Sequence, residues 1–427
     1  MTEQLTYASL KSAVDGGVAA FRVNHRLQPA GGPGDKIFPP TYDTGDRTLR
    51  YATETRRVDG EDVECVLVDS VASQANRIED ALYRAWEEER LHFPVIRVDF
   101  SEHEKLRDLD GISSLTAPHR VFDALLRDSM EGDTLFRDTP MGMALTDASP
   151  KAATALYRIC PTALVFGGWD STGPRGGLGN KVQRALASEL VAIHAKPGKK
   201  TSSRLDPAGI QANVKVYHAA SNPDDYTIDR ELALLTKNEK PVDFSRKGAE
   251  GKEGKKGKPS AVNHSNVAPT VDERAGGVTC DYVRQTTVLS LPALRRLRFP
   301  TDEDGQLYEA GQRREAELAA RTSLAALGLA GIVLLQADGF DLRSRCALVP
   351  EGPMLLEVVS AHGEPPREVG LSPAGAAELL SEAAKAAAEL GLGWKREPMR
   401  LKPSPKLVGL IEKSRALAAE GIGDRDA

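Results

Sequence analysis

Apolar and polar residues alternate from Ala19 to Leu27, the period-two signature of a strand. Phe21 and Val23 fall on one face and Arg22, Asn24 and Arg26 on the other, as they also would on an ordinary half-solvated strand. A short helix is predicted ahead of it (Leu5–Val18) and a Pro/Gly loop containing Lys36 after it (Pro29–Pro40). Thr48–Val58 and Asp62–Ser70 read as two strands around Asp59-Gly60, a hairpin signal. Helical spacing takes over in Val71–Glu89, whose first turn presents Ser73, Gln74, Asn76 and Arg77; capping explains the serine, and phosphate contact would explain the others. Phe93–Phe100 is a short β-run. A helix is predicted from about Ala117 to Met130, with His119 and Arg120 at the end where the helix dipole disfavours cations. An anionic partner or simple exposure would each account for that placement. Ala152–Arg158 reads as helix and Thr162–Phe166 as a strand.

Beyond Leu205 the pattern thins. Asn213–Tyr217 is strand-like, Asp229–Leu235 a helical turn or a second strand, and Lys237–Gly277 long, apolar-poor and irregular. Periodicity returns with a β-branched strand in Gly277–Leu291 and a basic helix start over Pro292–Phe299, carrying Arg295, Arg296 and Arg298. An amphipathic helix (Gln312–Leu327), buried strands at Ile332–Leu335 and Leu355–Val359, an alanine-rich helix (Ser372–Leu390) and a last helix (Lys406–Ala419) follow. Strands, helices and hairpins mixed in this way predict an α+β fold.

The run from Leu164 to Val191 concentrates the chemistry. It starts apolar, as a buried strand would, and crosses Gly173, Gly176, Gly177 and Gly179. It resumes with Val182, Leu186, Leu190 and Ile193 in helical spacing, beside a polar stripe of Lys181, Arg184 and Ser188. A strand, glycine loop and helix in that order would offer an anion free N–H groups and a close backbone, with Arg175 and Lys181 adding full charges. The spacing matches no standard loop. A P-loop fails because Asn180 precedes Lys181 and Val182 follows it; a dinucleotide fingerprint fails at Val182; a nucleophile elbow around Ser171 fails at Trp169. A turn whose glycines serve geometry alone is the plain alternative.

Composition narrows the partners. The chain has 427 residues, is 41% hydrophobic and 27% charged, and carries a net charge of −5, so a nucleic-acid surface must be a local stripe. Cys65, Cys160, Cys280 and Cys346 lie far apart and read as free thiols of a reducing cytosol. Neither they nor the eight histidines show metal-ligand spacing, so no metal or cofactor is expected. The N-terminus lacks a signal-peptide pattern and Leu324–Leu335 is short for a bilayer, so no membrane is expected and the location is cytoplasmic. Ser245–Ser260 holds six basic residues against two glutamates. It is either a solvated insertion or an arm that orders on polyanions, with Asn263, His264 and Asn266 as its polar tip.

Four blocks, Val68–Glu79, Phe166–Gly173 with Gly176–Glu189, Pro259–Asn266 and Val288–Phe299, resemble the backbone subunit of type I-G (formerly I-U) CRISPR Cascade interference complexes, in the RAMP superfamily. The resemblance runs from about residue 5 to 360. It implies a modified RRM/ferredoxin-like RAMP core with helical insertions and a protruding thumb or arm. The first part of the core would occupy 1–236, the irregular basic arm 237–277, the second part 278–362, and a helical extension and tail 363–427. The arm is the candidate thumb, with the hairpin Arg56–Asp62 competing. The implied function is binding without chemistry: copies polymerise along one CRISPR RNA, hold its phosphates whatever the sequence, and leave base edges to pair with target DNA. Further implied partners are other Cascade subunits (an RNA-processing or cap subunit and a large subunit) and a recruited helicase-nuclease. The candidate RNA contacts are Arg22, Lys36, Asn76, Arg77, His119, Arg120, Trp169, Ser171, Arg175, Lys181 and Arg184, with Trp169 either stacked on a base or part of the core. An RNA-cutting relative of type III backbone subunits would instead use a loop aspartate, Asp35, Asp43 or Asp46, although a lone Asp near Gly and Pro is usually a turn residue. A nucleotide-dependent enzyme is weakened by the failed motifs.

Overall fold

A capping box between Thr6 and Ser9 starts the first helix of the computed structural model, α1 (Tyr7–Asp15). The structure describes residues 3–43, 49–170, 181–245, 256–264, 266–395 and 397–419. Strand β1 (Val18–Pro29) follows α1, and then the hairpin β2 (Thr53–Val58) and β3 (Glu61–Asp69). That hairpin turns at Asp59 and Gly60, whose φ of 50° and 89° the Asp-Gly pair tolerates. Ser70 caps α2 (Val71–Glu87). Next come α3 (Pro161–Phe166), the short pair β4 (Gly168–Trp169) and β5 (Lys181–Val182), and β6 (Leu186–Ile193). Strands β7 (Lys200–Arg204) and β8 (Val267–Asp272) precede β9 (Tyr282–Ser290), α4 (Leu291–Arg295) and the long α5 (Ala310–Asp338). Toward the C-terminus lie β10 (Leu356–Ser360), β11 (Arg367–Gly370), α6 (Pro373–Glu389) and α7 (Pro405–Ala419).

Among the described residues the principal sheet has ten strands, and its continuous path runs Glu3–Gln4, β11, β10, β1, β9, β6, β3, β2. Its middle four, β10-β1-β9-β6, are antiparallel throughout. Ranked by chain position they stand 4-1-3-2; α2 lies between the first and second in sequence and α5 between the third and fourth. Phe21, Val23, Leu186 and Leu289 leave the sheet on one side and join Ile78 and Leu82 of α2 and Leu324 and Leu327 of α5 in one core. A polar seam interrupts that apolar face: Gln285 accepts from Gln336, which also meets His25, while Ser188 bonds both Thr287 and Gln74. Burial makes such internal pairing necessary. By length and composition α5 would cross a membrane, but 89% of its most apolar window is buried in the fold.

Two compact units divide the chain. The first is Met1–Pro40, Ala52–Lys196 and Thr279–Arg415; the second is Thr41–Tyr51, Pro197–Val278 and Ala416–Ala427. Within the second, β7 and β8 form an antiparallel ladder, Gly277 N–H donates to Tyr51 Oη at 2.7 Å, and His218 packs on Phe244. The 237–277 segment is therefore not irregular throughout, since β8 lies inside it.

Several expectations are corrected. Thr162–Phe166 is helical, because Pro161 sits where a helix tolerates proline and the whole run is buried. Leu186–Ile193 is a strand, not a helix, so the helix N-terminus expected to face an anion does not exist there. Ile332–Leu335 is the last apolar stretch of α5. The β-run at 93–100 shortens to Ile96–Val98, and the 117–130 helix breaks into a 3₁₀ turn (Arg120–Phe122) and Ala124–Arg127. Only Tyr217–His218 is strand near 213–217, and 229–235 carries isolated bridges alone.

Helix α5 crosses α2 at Gly331, where an added Cβ would sit 2.5 Å from Ile78 Cγ2. Gly331→Leu is expected to lower stability by roughly 1–3 kcal/mol through overpacking, read as a shifted urea midpoint with an unchanged m-value.

Candidate nucleic-acid interface

The sheet face turned away from α2 and α5 is half-exposed and carries charge in rows set by strand register. Arg22 lies across from Glu357 of β10 and bonds it at 2.6 Å. Asn24 stands opposite Thr286, and Arg26 directly opposite Arg284. Arg26 bonds Glu351 at 2.8 Å and lies over the Tyr282 ring at 3.7 Å, while Arg56 of β2 reaches Glu189 of β6 at 2.6 Å. Glu189, then Glu54, holds the Arg56 guanidinium above its ordinary range against the opposing effect of burial. Arg284 makes no ion pair or side-chain hydrogen bond among the described residues. Like charges directly opposite on a sheet repel; Glu351 answers Arg26, so it is Arg284 that leaves a place for an anion.

A second group surrounds β4 and β5, the strands on either side of the glycine run. Trp169 pairs with Lys181 in register, is 46% exposed, and has the Lys181 ammonium 4.5 Å above its ring. Trp169 is thus surface and not core. Below it the cations are internal. Arg120, buried and held at φ 54°, bonds Glu79 through Nε and Nη2 at 2.6 and 2.7 Å and donates to Gly167 O from Nη1. Burial pushes the Glu79 carboxyl up to about 7 even against the opposing pull of the Arg120 fork. Arg184 donates to Phe166 O at 3.2 Å, and burial, then Arg120, pulls its pKa down. Arg137 grips the buried Asp170 with two bonds, 2.8 and 2.9 Å.

The structure therefore brings together Lys181, Trp169, Arg184 and Arg120, but the last is a structural cation. Arg77 is another: it bonds the buried Asp69 at 3.0 Å and Leu342 O at 2.7 Å. Arg22, on the sheet face, sits apart from that cluster. Asn76 and His119 are exposed, and His119 N–H donates to Asp123. Lys36 is half-buried in the loop after β1, its backbone N–H on Asp35 Oδ1. Ser171, Arg175, the four loop glycines and Asp46 lie outside the described residues. In the second unit the proposed tip turns back on its own base: Arg204 donates to Asn263 O, Asp206 N–H to Asn266 Oδ1, and His264 lies 3.4 Å from Asp206. No group of three or more His, Cys, Asp or Glu is placed to hold a metal among the described residues. In the sequence, the alternation of Arg284 with Thr286 and Val288 is visible, but the strand that will stand opposite it is not.

The family described as CRISPR-associated protein GSU0053 matches residues 21–197, from within β1 to just past β6. That match ties this span to a CRISPR-associated family. Among solved structures, the crystal structure of Thermofilum pendens Csc2 aligns over 89% of this chain and 80% of its own, with 12% identity and a TM-score of 0.26, a likeness too slight to carry an argument. No curated protein sequence matches.

Removing one partner of a buried ion pair strands the other. Arg120→Met is expected to cost about 3–5 kcal/mol in urea unfolding, whereas Lys181→Ala, at an exposed position, leaves the midpoint within the scatter of surface changes.

Proposed function

We propose that this chain is a non-catalytic backbone subunit of a type I-G Cascade complex. In this reading it polymerises along a CRISPR RNA in the cytoplasm and presents the guide for pairing with target DNA. The observation that carries the proposal is the family match over residues 21–197. The 4-1-3-2 antiparallel order, with α2 and α5 on one face, supports the RRM/ferredoxin-like core such a subunit would have. Arginines serve this task because a phosphate chain offers the same charge at every nucleotide, so the grip is indifferent to sequence. Arg26 and Arg284 on the open sheet face, with Arg22 beside them, are the first contacts, and Lys181 with Trp169 the second. The second unit, which contains the 237–277 segment, is the thumb in this reading. The other partners are further copies of the chain, the RNA-processing or cap subunit, the large subunit and the recruited helicase-nuclease.

Co-expression with a CRISPR array and the companion subunits tests the assignment. Wild-type particles are expected to be elongated and to hold guide RNA. Arg26→Ala with Arg284→Ala is expected to release RNA at lower salt and to flatten the log–log salt slope by roughly 0.7 for each phosphate no longer neutralised. Unchanged retention sinks the sheet-face assignment, and a nucleic-acid-free monomer sinks the function. Complementary RNA incubated with these particles and magnesium is expected to remain intact; regularly spaced products would instead establish the nuclease reading.

A further inference from the structure

Two arginines of the basic run after β9 are not explained by holding a guide. Arg295 and Arg298 turn, with Arg313, Arg314 and Arg321 of α5, into a cavity of about 760 Å³ walled also by the end of α1. Arg295 is fixed by donating to the carbonyls of Ala13, Val14 and Val18 at 2.7–2.8 Å. Arg298, Arg313 and Arg321 converge on one buried carboxylate, Glu317, at 2.9, 3.0 and 2.6 Å, and Phe299 N–H adds a fourth bond. Among the described residues Arg314 meets only Asp15, loosely, at 3.9 Å. Five guanidinium groups thus face two carboxylates, leaving three positive charges in excess.

Glu317 holds three of these cations side by side without neutralising them. A single further carboxylate would leave the excess largely in place. A phosphate removes up to two charges, and its tetrahedral oxygens accept from several guanidinium forks at once. We infer that this cavity between α1, α4 and α5 is a binding site for a phosphate group. It lies in the helical layer, on the other side of the sheet from Arg26 and Arg284, and is independent of the guide-holding reading. The phosphate comes either from a free phosphate compound or from the phosphodiester chain of a nucleic acid.

Calorimetric titration of the full chain with inorganic pyrophosphate at constant ionic strength tests the site. Saturable binding is expected, weakened about tenfold or more by Arg298→Gln with Arg314→Gln and unaffected by Arg26→Ala with Arg284→Ala. The first of these variants leaves Glu317 paired with Arg313 and Arg321, so the fold is retained. Glu317→Gln, which raises the positive excess, is expected to tighten binding, a response that a purely structural arginine cluster would not give. In the Arg26→Ala/Arg284→Ala background, displacement of pyrophosphate by a short single-stranded RNA assigns the site to phosphodiester, and lack of displacement to the free compound. Absence of saturable heat, or equal binding by Arg298→Gln/Arg314→Gln, overturns the inference.

Discussion

A carboxylate with no exposure to water must be paired, and Asp69, wholly buried at the end of β3, shows how much structure can be organised around that requirement. It takes Arg77, Ser73 and Gln74 from α2 and Arg343 from the segment after α5. Gln74 then passes the connection to Ser188 of β6, and Ser188 to Thr287 of β9. One charge so fixes the entry of a helix, the register of two central strands and the return of the chain from α5. The Arg77 guanidinium, which looks available in the sequence at α2, is consumed here, whereas Arg284 on the opposite sheet face keeps its charge for other use.

Local pattern made some of this readable and tertiary context hid the rest. The alternation in β1 and the Asp59-Gly60 turn carry their own signal, since period-two spacing and a glycine-tolerant turn need no partner. The run 164–191 reversed its expected order because a short apolar segment reads equally as buried strand or buried helix. Leu186, Leu190 and Ile193 fit a helical face, while the strand uses Leu186, Ser188 and Leu190, with a serine facing inward. Only Thr287 and Gln74, distant in sequence, make that serine acceptable. The same logic separates Arg120 from Lys181. Both are cations near a glycine run, and nothing local reveals that Glu79 waits inside for one of them.

The charged sheet face illustrates a different limit. Arg26 and Arg284 each sit at an ordinary outward position, and their meaning arises only when pairing places them opposite each other. Pairing also decides which arginines are already answered: Glu357, Glu351 and Glu189 tie down Arg22, Arg26 and Arg56. An array of this kind is organised before any ligand arrives, which reduces the side-chain entropy given up on binding.

Strands β6 and β9 are neighbours whose ladder begins at the pair Ile193 and Tyr282, so everything between these residues is spliced into what would otherwise be a hairpin turn. The entropic cost of closing such a loop grows only with the logarithm of its length. The spliced segment is therefore free to lengthen, shorten or be replaced over evolutionary time while the ladder beneath it keeps its register.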